Sequence, residues 1–277
     1  MMRDLSNDLG LLSINTATLK SWSLQQVIEG CARAGVTAIA PWRDKLAECG
    51  VARAAQLCRT HGMTVTGLVR GGMFTAADAA GRRAALDDNI RALDDAAELE
   101  AVCLVLVVGG LPPGSKDIVG ARAQVHDAIA ALLPHARAVG VPLAIEPLHP
   151  MYAADRACVS TLGQANDLCD ALADDALGVV VDVYHVWWDP DLARQIARAG
   201  AKILAYHVCD WLVPTTDLLL DRGMMGDGVI DLRGIRGMVE ATGFRGHCEV
   251  EIFSNRWWAC DPAEVLRTCI NRHQTVV

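Results

Sequence analysis

The sequence predicts a single (β/α)8 barrel over residues 1–277, and three observations carry that prediction. A unit recurs along the chain: a short β-branched run, a polar or glycine-containing loop, then an Ala/Leu-rich helical stretch. The strand candidates are apolar throughout rather than alternating, as strands covered on both faces of a parallel sheet must be. The length of 277 residues accommodates eight such units, for which about 250 residues are typical. A doubly wound sheet would have fewer strands and a glycine-rich first turn. No G-x-G-x-x-G follows the first strand candidate, so no nucleotide cofactor is indicated.

In chain order the strand candidates are Leu11–Asn15, Ala38–Pro41, Thr64–Val69, Cys103–Val108, Pro142–Pro147, Gly178–Val183, Ile203–Val208 and Cys248–Phe253. Helical stretches lie between them, among them residues 23–35, 45–62, 85–100 and 120–140. Gly35, Gly62 and Gly140 stand where helix C-caps belong. Asp261 followed by Pro262 reads as an N-cap with proline at the first helical position. No low-complexity tract or Pro/Gly/Ser linker marks a domain boundary.

Composition narrows the function classes. A formal charge of −8 and the absence of any Lys/Arg run argue against a nucleic-acid partner, whose binder would carry a basic stripe. The most apolar stretch, AVCLVLVVGG (101–110), is about half a membrane span, so no membrane partner is expected. The N-terminus lacks the apolar core of a signal peptide. Ten scattered cysteines with no C-x-x-C read as reduced, mostly buried thiols of a cytoplasmic protein.

The segment VVVDVYHVWW (179–188) poses a physical problem, because an apolar run ends in an aspartate and a histidine that are costly to bury. In a barrel of this kind, active sites gather at the C-terminal ends of the strands. The fifth strand candidate delivers Glu146 there. The sixth delivers Asp182 and, one inward step beyond, His185. The seventh delivers His207, and the eighth Glu249 and Glu251, which face the same side. Acids on neighbouring strands repel one another unless a cation sits among them. A divalent ion held by Glu146, Asp182, His207 and one of the last two glutamates removes the repulsion. Three carboxylates and an imidazole suit Mn²⁺, Mg²⁺ or Co²⁺ better than structural Zn²⁺.

The motifs AIEPLHP, DVYHVWWDP, YHVCDW, GDGVIDL and VEIFSNRWW resemble those of the xylose isomerase-like barrel superfamily, in particular its sugar (phosphate) isomerase/epimerase branch, over nearly the whole chain. The resemblance implies metal ligands Glu146, Asp182, His207 and Glu251, choosing Glu251 over Glu249 on the VEIFS match. It implies substrate contacts from His185 and Arg222. A divalent ion, Mn²⁺ foremost with Mg²⁺, Co²⁺ or Zn²⁺ as alternatives, would serve proton transfer next to a carbonyl through a metal-stabilised enediolate. Glu146 and Glu251 would act as the catalytic pair on a small sugar, keto-sugar or inositol-derived substrate. Further substrate contacts are expected from Trp42 and His149, with Asn15 and Arg70 as strand-end candidates. Trp187, Trp188, Trp211, Trp257 and Trp258 read as either sugar-facing or packing aromatics, and Lys116 as a surface residue.

Two enzyme readings share this ligand set: an isomerase or epimerase, and a lyase or dehydratase that expels a β-hydroxyl. The family's ketose 3-epimerases carry a second glutamate six residues after the first ligand. Tyr152 stands there in this chain, which widens the substrate field to inosose-, keto-sugar- or sugar-acid-like compounds. A repair endonuclease of the related type would need additional histidines where APWRD, LVRGG and Val229 stand. A non-catalytic sugar binder would have lost a ligand or an acid, and none is missing. MMGDG could offer backbone N–H groups to a phosphate, yet no glycine-rich phosphate loop follows the eighth strand, which favours an unphosphorylated substrate. A homo-oligomer is compatible with the composition.

Overall fold

The computed structural model describes residues 2–277. Its nine parallel strand segments are β1 (Leu12–Asn15), β2 (Ala38–Ala40), β3 (Thr64–Val65), β4 (Leu68–Gly72), β5 (Leu104–Val107), β6 (Leu143–Ile145), β7 (Leu177–Asp182), β8 (Ile203–Val208) and, last in the chain, β11 (Cys248–Val250). Between the last two lies a separate antiparallel ribbon, β9 (Asp210–Trp211) with β10 (Arg222–Gly223). The strand order β3-β2-β1-β11-β8-β7-β6-β5-β4 returns to its start, because β3 and β4 are consecutive pieces of one barrel strand. Val69 N–H donates to Pro41 C=O (3.0 Å) and closes that last seam. The predicted (β/α)8 barrel is the fold.

The third strand departs from the unbroken run expected over Thr64–Val69. It breaks at Thr66–Gly67, where Thr66 turns its hydroxyl inward onto Glu249 (2.9 Å). It resumes through a bulge between Val69 and Gly71. The helix expected over 45–62 is likewise two, Arg43–Ala47 and Val51–His61, parted at Gly50 with φ +80°, a conformation that glycine adopts without steric cost. Gly62 and Gly140 cap their helices in the left-handed region, and Asp261 caps the last one, Pro262–Thr275.

Two packed regions follow from the pleat. Outward-facing residues such as Leu12, Ile14, Leu104, Leu106, Val179 and Val181 pack under the helices. Inward-facing residues are small: Ala40, Val69, Cys103, Val105, Ala144, Val180 and Ala205 fill the barrel floor. Small residues on the floor leave the polar layer above them directly on the barrel axis. All ten cysteines are free, and all but Cys49 and Cys260 are buried. Among the described residues no helix is long and apolar enough to cross a membrane.

His273, on the last helix, is fully buried, and neither ring nitrogen has a hydrogen-bond partner among the described residues. Burial pushes its imidazole down to about 4. A histidine whose folded pKa is depressed contributes a stability term present above its unfolded value near 6.5. That term is lost as pH falls toward 4, because the unfolded state then binds the extra proton. We expect His273→Leu to lose about 3 kcal/mol less stability than the wild type between pH 7 and 4. Urea midpoints at the two pH values check this, and equal losses would refute it.

Candidate metal centre

At the C-terminal rim, donor atoms of Glu146, Asp182, His207 and Glu251 all lie within 4.8 Å of one another, and all four residues are buried. Strand register brings them together. Asp182 pairs with His207 across β7 and β8, and His207 with Glu249 across β8 and β11. Glu251 therefore stands one inward step above Glu249, just past β11, with its N–H on Val208 C=O (3.2 Å). Glu146 extends β6 by one residue, its N–H on Leu106 C=O (3.1 Å).

Asp182 ends β7 and caps a helical turn, Val183–Val186, accepting from Tyr184 N–H (2.8 Å). This turn, not strand alternation, carries His185 to the cavity. His185 Nδ1 accepts from the His149 backbone N–H (3.2 Å), and its Nε2 lies 3.6 Å from Asp182 Oδ2. Burial, reinforced by the Arg222 charge, pushes His185 well below the ordinary range, which favours the neutral ring.

Arg222 comes from β10, outside the barrel strands, and its backbone N–H donates to Phe253 C=O (3.0 Å). Its Nη1 reaches Glu251 Oε2 (3.1 Å) and Asp182 Oδ2 (3.3 Å), while Nη2 lies 3.1 Å from His185 Nε2. Its guanidinium also stacks over the Tyr184 ring at 4.4 Å. Burial raises the Asp182 carboxyl against the pull of Arg222, and raises Glu146 to about 7 against the pull of His207. Arg222 does not reach Glu146, which is left to His207 Nδ1 (3.1 Å).

The loop after β9 is organised by Asp210. Its Oδ2 accepts from Gly226 N–H (2.8 Å) and Gly228 N–H (2.9 Å), and its Oδ1 from Ile230 N–H (3.0 Å). Of the backbone donors that MMGDG (224–228) could have offered to a phosphate, those of Gly226 and Gly228 are thus satisfied within the chain, as is that of Asp227 by Met224 C=O (2.9 Å).

Beneath the four donors lies a second polar layer. Glu249 accepts from Asn15 Nδ2 (2.8 Å) and Thr66 Oγ1 (2.9 Å), and Ser13 Oγ lies 2.8 Å from Thr66 Oγ1. Asn15 also donates to Glu251 Oε1 (3.0 Å), so its place is to hold two carboxylates apart. Glu249 Oε1 approaches the far nitrogen of His207 at 3.5 Å, a nitrogen that has no hydrogen-bond partner among the described residues. That layer was announced in the sequence by Ser13 and Asn15, polar residues at period two in an otherwise apolar strand.

The residues fit a divalent cation. Three carboxylates and one imidazole converge within reach of a single ion, their one guanidinium neighbour does not compensate Glu146, and burial penalises the charges left over. Glu146, Asp182, His207 and Glu251 would hold the ion. Glu249 would keep the His207 proton on Nε2 and leave Nδ1 free as the ligand atom.

The other residues singled out in the sequence divide. Trp42 and Arg70 line the cavity above the cluster, together with Phe253, Tyr152 and Arg156. His149 lies behind His185, stacked on Trp211 (centroids 5.1 Å) and edge-on to Trp188 (5.4 Å). Trp187 packs on Trp211, Trp188 donates to His185 C=O, and Trp258 donates to Ala17 C=O. Tyr152 and Tyr184 both donate their hydroxyls to Leu218 C=O (2.6 and 2.9 Å), tying down the loop that leads to Arg222. Lys116 is exposed.

We expect the wild type to bind about one Mn²⁺ per chain and Asp182→Ala to bind none. Glu249→Gln, which keeps all four donors, should bind Mn²⁺ about 10–100-fold more weakly. Isothermal titration of chelator-stripped protein measures all three. Unchanged affinity in Glu249→Gln would remove that residue from the support of the centre.

Comparison with known proteins bears on the family and the fold. The family model described as xylose isomerase-like TIM barrel matches residues 28–271. A crystal structure of a protein from Sinorhizobium meliloti 1021 superposes with a TM-score of 0.95 at 60% identity, covering 96% of this chain and 98% of that one. The IolI protein, whose crystal structure contains a zinc atom, superposes with a TM-score of 0.82 at 21% identity, covering 96% of this chain and 99% of that one; at that identity the likeness is one of fold. An inosose isomerase of Bacillus velezensis is 29% identical over 146 residues, half of this chain and 49% of the relative. The aligned part of the chain thus spans about half the length of that curated relative. The chain belongs to the xylose isomerase-like TIM barrel family.

Proposed function

We propose that the protein is a divalent-metal-dependent isomerase or epimerase of a small keto-sugar or keto-polyol of the inosose type, working as one barrel domain in the cytoplasm. The observation that carries this reading is that Glu146 and Glu251 belong to one buried ligand cluster and also line one cavity of about 280 Å³. The similarity to an inosose isomerase over half the chain and the zinc of the IolI structure support it.

A bound ion supplies Lewis-acid stabilisation of negative charge on a substrate oxygen. The chain's own residues do the rest. One of Glu146 and Glu251 removes the proton from the carbon beside the carbonyl, and the other returns a proton to the opposite face or to the neighbouring carbon. The first outcome inverts a centre, and the second moves the carbonyl. His185, neutral and positioned by the His149 backbone N–H, hydrogen-bonds a substrate oxygen. Arg222, held by Asp182 and Glu251, presents its second amino group beside it. Trp42 and Phe253, in edge contact at 5.3 Å, give an apolar wall for sugar C–H faces.

The test is deuterium wash-in from D₂O, followed by proton NMR on 2-keto-myo-inositol and D-fructose with Mn²⁺-saturated protein. Exchange at the carbon beside the carbonyl is expected in the wild type. It should be slowed about 10²–10⁴-fold in Glu146→Gln and in Glu251→Gln at saturating Mn²⁺. A metal-loaded wild type that exchanges no proton of these compounds or of any anionic keto-sugar overturns the reading.

A further inference from the structure

Three arginines, Arg70, Arg156 and Arg222, line the cavity together with Glu146, Asp155 and Glu251. Arg222 is matched by Asp182 and Glu251. Arg70 stands on the third-strand bulge and Arg156 on the loop that follows β6. Arg70 is half-buried, yet makes no hydrogen bond or ion pair among the described residues, whereas the nearby Arg43 is fully engaged by Asp88 (2.7 and 3.0 Å). Arg156 has a loose approach to its sequence neighbour Asp155 (3.7 Å) and lies over the Tyr152 ring (5.4 Å). Burial, followed by the positive charges of Arg156 and Arg43 and opposed by Asp88 and Glu146, pulls the Arg70 guanidinium down from its ordinary range.

Both arginines stand on fixed backbone. Asn89 clamps the bulge beside Arg70, its Oδ1 accepting from Gly72 N–H (2.6 Å) and its Nδ2 donating to Gly72 C=O (2.8 Å). Gly72 has φ +100°, and a Cβ there would lie 2.0 Å from Val107 C=O, so the bulge accepts only glycine. The loop bearing Arg156 is laced to the end of the fourth barrel strand: Gly109 N–H donates to Arg156 C=O (2.8 Å), Cys158 N–H to Gly109 C=O (2.9 Å) and Leu111 N–H to Ala154 C=O (2.8 Å). A half-buried guanidinium without a partner, on clamped backbone and lining the same cavity as a second one whose neighbour Asp155 approaches only to 3.7 Å, is built to receive an anion. The planar fork of arginine matches carboxylate and phosphate oxygens.

We propose that Arg70 and Arg156 form an anion subsite for a carboxylate or phosphate at the end of the substrate remote from the metal cluster, so that the substrate is a keto-sugar acid or a phosphorylated keto-sugar. This rests on the reading that the cavity is the substrate site of a metal-dependent isomerase or epimerase, and it narrows the substrate from neutral inosose-type compounds to anionic keto-sugars.

The test uses inorganic phosphate, D-gluconate and neutral D-glucitol, titrated calorimetrically into chelator-stripped and Mn²⁺-loaded protein. At least one anion should bind about tenfold or more tightly than D-glucitol in both forms, as charge-assisted hydrogen bonds imply. Arg70→Gln and Arg156→Gln should each weaken that binding about tenfold, Arg70→Lys should recover part of it, and Mn²⁺ affinity should stay at the wild-type value in all three. Preference for phosphate assigns a sugar phosphate, and preference for gluconate a sugar acid. Anion binding that is no tighter than D-glucitol, or that survives both glutamine substitutions, overturns the subsite. Proton exchange on neutral keto-inositol in that case leaves the isomerase reading standing. Arginine-dependent anion binding without proton exchange on any keto-sugar, neutral or charged, retains the subsite and removes the isomerase.

Discussion

Four carboxylates, Glu146, Asp182, Glu249 and Glu251, face inward around one histidine at the mouth of a closed barrel. Removing a carboxylate from water costs several kcal/mol unless partners offset it, and much of the surrounding structure consists of those partners. Arg222 crosses from the ribbon to Asp182 and Glu251, Asn15 spans Glu249 and Glu251, Thr66 breaks its strand to reach Glu249, and His207 lies between Glu146 and Glu249. What these partners leave uncompensated is a place for a divalent ion. The small residues of the floor follow from the same constraint, since bulkier side chains there would crowd the layer above.

The strand ends were legible because a buried parallel strand is apolar by necessity, so an acid or imidazole at its end stands out. Glu146, Asp182, His207 and Glu251 were visible this way, and the structure brings them together. Glu249 was visible too, but its level on the axis was not: two inward residues two apart look alike until the register with β8 is known. The helical turn after Asp182 was hidden because DVYHV reads equally well as a strand continuation. Arg156 sits in a loop and Asp210 in the two-residue strand β9, too short for any periodicity to report direction. The break in the third strand at Thr66 had no local signal beyond Gly67, since its cause is a carboxylate 183 residues away.

The centre divides its labour between two kinds of backbone. Strand ends hold the donors, and their positions are fixed by ladder hydrogen bonds shared with neighbouring strands. Connecting segments supply further polar groups of the cavity: Arg222 from the ribbon, Arg156 from the loop laced to Gly109, and His185 from a single helical turn. Loops can vary in sequence while the strands that support them stay unchanged. The same donor set can therefore serve substrates of different charge, provided the loop cations change.

The polar layer under the donors also fixes an order of events in folding. Asn15 and Thr66 belong to the first quarter of the chain, and the carboxylate they hold arrives with the last barrel strand, 234 and 183 residues later. Contacts of such sequence separation form late, because the loop-closure entropy precedes their reward. During synthesis, Asn15 and Thr66 therefore wait with their hydrogen bonds to Glu249 unmade until the strand carrying it emerges. The seam between β1 and β11 closes then, and the centre is assembled in the same step, so an ion can bind at full affinity only to a chain whose barrel is already complete.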